Sequence, residues 1–268
     1  MSFADTTKLY GLTALPADQT KTKPATTNPE PVDISSLAIP RTALASRVDS
    51  YVKSKLDADT YRHSLRVYSY GCAIARQCFP DFELHPGSAL EETWFLTAML
   101  HDIGTAEEFL SSTRLSYEFW AGVHALDILQ DPSLTTTTTT TTTATGEQNQ
   151  NAGVAPREQA ESVAEAIIRH QDVQDKGSLT LMTRLIHLGT LLDNIGAGAE
   201  LVNRKTIENV VREYPRPGWR KCFKGTVEKE KTIKPYAMVT RIEGFEAMIE
   251  KNGGKDGIMG VFDMGAFE

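Results

Sequence analysis

The chain has 268 residues, 40% of them hydrophobic, which is enough for a sizeable core in one domain or two small ones. Its formal net charge is -7 and it has no long basic run, which argues against nucleic acid or an anionic membrane surface as a main partner. No stretch is long and apolar enough to span a bilayer, and the N-terminus lacks the basic-then-apolar layout of a secretory signal. The cytosol is the expected location, with the nucleus also open to a small soluble protein. Cys72, Cys78 and Cys222 are odd in number and fit no CxxC spacing, so core thiols are expected rather than a disulfide framework.

Residues 1–38 are rich in Thr, Pro, Lys and Asp without an apolar period, and are expected to form a flexible N-terminal arm. From Thr42 the apolar residues Leu44, Val48, Val52 and Leu56 recur every four positions, predicting a helix. A longer helix is predicted from about Ala58 to Phe79-Pro80, with Leu65, Tyr68, Cys72 and Ala75 facing inward. A third runs from about Leu90 to His101, where Gly104 stops or bends it. Ser116 is placed to N-cap a helix carrying Phe119, Val123, Leu126 and Leu129.

The Thr-rich stretch, about 133–156, offers no packing face and reads as a flexible loop. Helical patterning resumes at Arg157, with one helix ending near His170 and another carrying Leu181, Leu185, Leu188 and Leu192 to Asp193. Shorter charged helices, a turn at Pro215–Gly218 and a Gly-rich tail follow. No convincing strand pattern is present, so the predicted class is all-α, a helical bundle with one catalytic domain over 39–268.

Three of the six histidines read as ordinary: His85 in a polar loop, and His124 and His187 within helices. The others have more telling surroundings. His63 projects from a helix, His101 is followed directly by Asp102 after an apolar run, and His170 ends a helix. Asp193 closes a long apolar helix, a costly place for a carboxylate unless something positive compensates it. Imidazoles and carboxylates gathered at helix ends suit a divalent ion, and His63, His101, Asp102 and Asp193 are the expected ligands. Arg66, one turn after His63, is placed to pair with an active-site carboxylate, or else with a surface acid.

The order His63, His101-Asp102, Asp193 resembles the H…HD…D signature of the HD-domain superfamily of metal-dependent hydrolases. The strings Tyr61-Arg62-His63-Ser64-Leu65-Arg66-Val67, Leu100-His101-Asp102-Ile103-Gly104-Thr105-Ala106-Glu107, Ser112-Thr113-Arg114, Ala164 to His170 and Leu192-Asp193-Asn194-Ile195-Gly196-Ala197 are similar to those of the fungal cyanamide hydratases. The resemblance runs from about Ile39 to the C-terminus, leaving out the Thr-rich stretch. It implies an HD fold, a zinc ion, hydration of cyanamide to urea, and a homo-oligomer; the two His and two Asp donors suit iron(II) or manganese(II) as well. The chemistry of hydrating a nitrile then leads to the expectation that metal-bound hydroxide attacks the nitrile carbon, with His170 or Glu107 passing the proton to nitrogen and the isourea tautomerising to urea.

Thr105 stands three positions after Asp102, where many HD phosphohydrolases carry a charged residue, and few cations lie near the motif. A phosphate dianion normally calls for several Arg or Lys donors, whereas a small neutral nitrile needs a hydroxyl and an amide or two. Thr105 is therefore a candidate substrate contact. Asn194 is either a partner for the substrate's amino group or a helix C-cap before Gly196. Tyr117, Phe119 and Trp120 could wall a small pocket. The alternatives are a phosphohydrolase acting on nucleotide monophosphates, a hydratase of another small nitrile or isonitrile, and a non-catalytic binding protein.

Overall fold

The computed structural model describes residues 2–134, 153–255 and 257–263. The described residues form twelve α-helices, several 3-10 turns and two three-residue strands, so the all-α class holds. In chain order they are α1 (Phe3–Leu9), β1 (Ala14–Pro16), α2 (Ala43–Lys55), α3 (Ala58–Cys78), α4 (Ala89–Leu100), α5 (Glu107–Leu110) and α6 (Tyr117–Gln130). After them come α7 (Arg157–Ile168), β2 (Ser178–Thr180), α8 (Leu181–Ile195), α9 (Arg204–Glu213), α10 (Trp219–Ile233), α11 (Phe245–Asn252) and α12 (Gly260–Asp263). No helix among the described residues is long and apolar enough to cross a membrane.

Helix α3 is the central element. Its N-terminus is capped by Asp57, whose carboxylate accepts the backbone N–H groups of Asp59 and Thr60. Every residue from His63 to Ala75 is buried, and a helix covered all round must lie inside the bundle. It packs on α4 and α8, while α6 lies along α7. Helix α8 starts at the Thr180 cap and stops at Gly196, whose φ of 75° supplies the left-handed turn that ends many helices.

Gly71 leaves room for the Trp94 side chain of α4 against α3, since a Cβ there would sit 2.1 Å from Trp94 Cζ2. The Trp94 indole is fully buried and its Nε1 donates to the Tyr68 carbonyl at 3.0 Å, so it cannot swing aside freely. Gly71→Ala is expected to cost about 1–3 kcal/mol through overpacking. Urea denaturation would show it as a lower midpoint with unchanged slope, and a midpoint equal to the parent's would contradict it.

The segment expected to be a flexible arm is built into the fold instead. Strand β1 pairs antiparallel with β2, with Ala14 opposite Thr180 and Pro16 opposite Ser178. Leu181 N donates to Thr13 O at 2.9 Å, Ser162 Oγ to Tyr10 O at 2.6 Å, and Arg184 Nη2 to Pro16 O at 2.6 Å. Tyr10 and Ala17 are buried. These bonds satisfy backbone groups that an extended arm would leave to water. Of the Thr-rich stretch, residues 135–152 lie outside the described residues. On their near side Gly153 O accepts from Arg47 Nε at 3.0 Å.

Two hydrophobic clusters result. The larger joins α2–α4 with α6–α9, and the smaller contains Trp219, Phe223 and Val227 of α10 with Phe245 and Ile249 of α11. All three cysteines are free, and Cys72 and Cys78 are buried as expected. The polar residues of the candidate site lie where the two clusters meet.

Candidate metal centre

Helix α3 supplies His63, the end of α4 supplies His101 and Asp102, and the residues just past α7 supply His170. His63, His101 and Asp102 are 0–1% exposed, and their ligand atoms all lie within 4.8 Å of one another. His63 Nε2 is 3.3 Å from His101 Nε2 and 3.6 Å from Asp102 Oδ2, and His101 Nε2 is 3.1 Å from that same oxygen.

The far side of each ring fixes its tautomer. His101 Nδ1 donates to Ala98 O at 2.8 Å and His63 Nδ1 to Asp193 Oδ2 at 2.6 Å. Both Nε2 lone pairs therefore face inward. Neutral imidazoles aimed at each other across such a gap repel unless a cation lies between them. Asp102 Oδ2, buried beside them, has no hydrogen-bond partner. Two imidazoles and one carboxylate, whose Oδ2 is unpartnered, fit a divalent cation with an open position.

The charges agree with that arrangement. Burial pushes the His63 imidazole down to about 4, against the upward pull of Asp193 and Asp102, so the ring is neutral and able to ligate. Burial would raise the Asp102 carboxyl, but His101, His63 and His170 outweigh it and hold it below the usual range. His170 is pushed down to about 3, chiefly by burial and then by His101.

Asp193, expected as the fourth ligand, is placed differently. Its carboxylate lies behind His63, bonded to the Nδ1 side of the ring and away from the cluster. Arg66 grips it with two bonds, Nε to Oδ1 and Nη2 to Oδ2, both at 2.9 Å, and Arg216 Nη1 donates to Oδ1 at 2.7 Å. Both oxygens are thus occupied, and Asp193 serves to orient the ligand beside it. Such a carboxylate fixes the ring and raises the basicity of its metal-facing nitrogen. The pairing expected for Arg66 is borne out.

His170 lies at the edge of the cluster, with Nε2 at 3.7 Å from Asp102 Oδ1. Its Nδ1 donates to Ile167 O at 2.7 Å, so Nε2 accepts from the Tyr117 hydroxyl at 3.2 Å. Gln171 Nε2 donates to that hydroxyl at 2.8 Å, which gives the chain of bonds one direction.

Three further expectations are corrected. Glu107 is 85% exposed and pairs with Lys229 at 2.6 Å, outside the cluster, because the turn after Gly104 carries it to the surface. The Thr105 hydroxyl is spent on the Asp102 carbonyl at 2.7 Å, closing the 3-10 turn that follows the helix. Asn194 Oδ1 accepts from Trp219 Nε1 at 3.0 Å, so its amide steers an indole. That indole stacks on His63 with ring centres 4.1 Å apart. Tyr117 is buried against His170, whereas Phe119 stays exposed and Trp120 stacks on Phe109 and His124. His85 is exposed, and His187 Nε2 donates to Arg169 O at 2.9 Å as a buried structural residue.

Several contributors were missed. Arg216 sits between two prolines in what reads as a turn, and nothing local marks it as buried. Trp219 begins the spacing Trp219, Phe223, Val227, which does announce the inner face of α10. Glu118 is fully buried, with neither carboxylate oxygen hydrogen-bonded, beside Glu230. Burial and then Glu230 push its carboxyl well above the usual range. Its position with Ala121, Ala125 and Leu129 on one helical face is the signal that could have found it.

A helical bundle enclosing a buried His–His–Asp cluster defines a protein equipped to hold a metal ion. No family model matches the chain. Two proteins of Saccharomyces cerevisiae, cyanamide hydratase DDI2 and cyanamide hydratase DDI3, are each 30% identical to it over 227 residues, covering 85% of this chain and 89% of theirs. The chain belongs to the cyanamide hydratase family.

Proposed function

We propose that the chain hydrates cyanamide to urea at a divalent metal held by His63, His101 and Asp102, as an HD-type metalloenzyme with zinc as the favoured ion. Iron(II) and manganese(II) suit the same donors. The observation that carries this reading is the buried convergence of those three residues around an unpartnered Asp102 oxygen. Family membership supplies the reaction.

A divalent ion held there supplies the Lewis acidity that brings the pKa of water from about 15.7 to about 7. The protein's own groups do the rest. Asp193 and the stacked Trp219 hold His63 in place. Burial of the cluster excludes bulk water and strengthens the local electrostatics. Hydration forms a C–O bond at the nitrile carbon, breaks one C–N π bond and delivers a proton to nitrogen. The Tyr117 hydroxyl and His170 Nε2, already hydrogen-bonded to each other at the cluster's edge, move that proton. The resulting isourea tautomerises to urea.

The cations also speak for a neutral substrate. Arg66 and Arg216 are committed to Asp193 and Asp263, so neither is left to bind a phosphate dianion. Parallel incubations with cyanamide and with a nucleoside monophosphate test the reading: urea from the first and no orthophosphate from the second is expected. Orthophosphate without urea would overturn it. His170→Ala is expected to lose about 100- to 10,000-fold in kcat, the usual range for general acid–base catalysis, while keeping its metal. If metal content falls as well, His170 is a ligand.

A further inference from the structure

We propose that Asn252 and Asp263, the last residues of α11 and α12, form a positioning device for His63, acting through Arg216 and Asp193, and that they set how tightly the site retains a divalent ion. The inference rests on the metal-site reading above.

Three bonds tie the end of α8 to Asn252 and to Arg216. Asn252 Nδ2 donates to Asp193 O at 3.3 Å, and Arg216 Nη1 donates to the same carbonyl at 2.9 Å and to Asp193 Oδ1 at 2.7 Å. The other edge of the Arg216 guanidinium is held by Asp263, through Nε to Oδ1 and Nη2 to Oδ2. The side chains of Arg216 and Asp263 are only 1% and 3% exposed. The line Asp263–Arg216–Asp193–His63 is therefore continuous and buried.

The glycines allow this approach. A Cβ on Gly253 would lie 2.3 Å from Asp263 Oδ2, and one on Gly196 would lie 2.7 Å from Asn252 Oδ1. Met259 N closes the turn by donating to Asn252 O at 3.2 Å. A tail that merely trailed from the last long helix would need neither contact.

Asp263 matters because Arg216 has several donors and Asp193 has two oxygens. With its Nε edge held by Asp263, Arg216 presents a single nitrogen to Asp193 Oδ1 and leaves Oδ2 to His63 and Arg66. Released from Asp263, the guanidinium can turn both edges towards Asp193 and compete with the His63 Nδ1–H. The ring then loses both its fixed orientation and part of the basicity of Nε2.

The test uses the full chain and zinc as the probe, with affinity measured by chelator competition on samples shown to be folded by circular dichroism. Asp263→Asn is expected to weaken zinc retention about 10- to 100-fold, the usual effect of losing an outer partner of a metal ligand. Gly253→Ala keeps every charge but displaces Asp263, and should move affinity the same way; Asp263→Glu should restore part of the loss. Unchanged zinc affinity in folded Asp263→Asn overturns the proposal while leaving the metal site intact. Loss of the folded state in both Asp263→Asn and Gly253→Ala overturns it in favour of a purely structural anchor. A parent chain that binds no zinc, iron(II) or manganese(II) overturns the metal-site reading itself, and this inference with it.

Discussion

Asp102→Ala is expected to abolish metal content and to lower kcat/KM for cyanamide by about a thousandfold or more. Asp102 is the single carboxylate in the cluster, and its Oδ2 is buried without a hydrogen-bond partner. His101 and His63 approach that oxygen at 3.1 and 3.6 Å, so without it two neutral imidazoles would have to hold the ion alone. A catalytic metal supplies several kcal/mol of transition-state stabilisation, and about 4 kcal/mol corresponds to a thousandfold in rate. Elemental analysis of the purified variant, alongside initial rates, checks both halves. A variant that kept full metal occupancy and parental rates would show that the cluster is not the site.

Asp193→Ala is expected to act on stability first, costing about 3–5 kcal/mol even in metal-free protein. Its carboxylate neutralises the buried guanidiniums of Arg66 and Arg216, and removing one member of such a network leaves charge buried without compensation. Total stability for a domain is about 5–15 kcal/mol, so the loss should be plain in a denaturation curve. Were Asp193 an ordinary ligand, its removal would cost metal but leave metal-free stability almost untouched.

The pH dependence has a definite sign. Burial alone would raise the Asp193 carboxyl, but Arg66, Arg216 and His63 hold it well below the usual range. The folded value therefore lies under the unfolded value of about 3.9. The contribution is complete above that unfolded value and fades as pH falls below it towards the folded one. Asp193→Asn should flatten the acid limb of the stability profile, and an unchanged limb would count against this role.

The helices that build the core were legible because their apolar residues repeat at i, i+4 spacing with recognisable stops. Thr42 caps α2 and Gly196 ends α8 where the pattern changes. His63, His101 and Asp102 were legible for a related reason. Each is a polar residue where an apolar helix has no other use for one.

The role of Asp193 was not legible, because it depends on Arg216, 23 residues further on between two prolines. A ligand and a partner of a ligand look alike in sequence; a guanidinium arriving from elsewhere in the chain decides between them. The N-terminal segment was misread for a similar reason. Its β1–β2 pairing joins residues more than 160 positions apart, and its buried residues, Tyr10, Gly11, Ala17, Pro29 and Leu37, follow neither a helical nor a strand period. Glu107 stands only five residues after Asp102, yet three residues of 3-10 turn suffice to redirect the chain to the surface.

The central claim is tested most directly by measuring urea release from cyanamide before chelation, after chelation, and after adding back zinc. The arrangement of His63, His101 and Asp102 predicts that urea production falls on chelation and returns with the metal, in proportion to its occupancy. Urea production that survives complete metal removal, or its absence from fully loaded protein, would contradict the account.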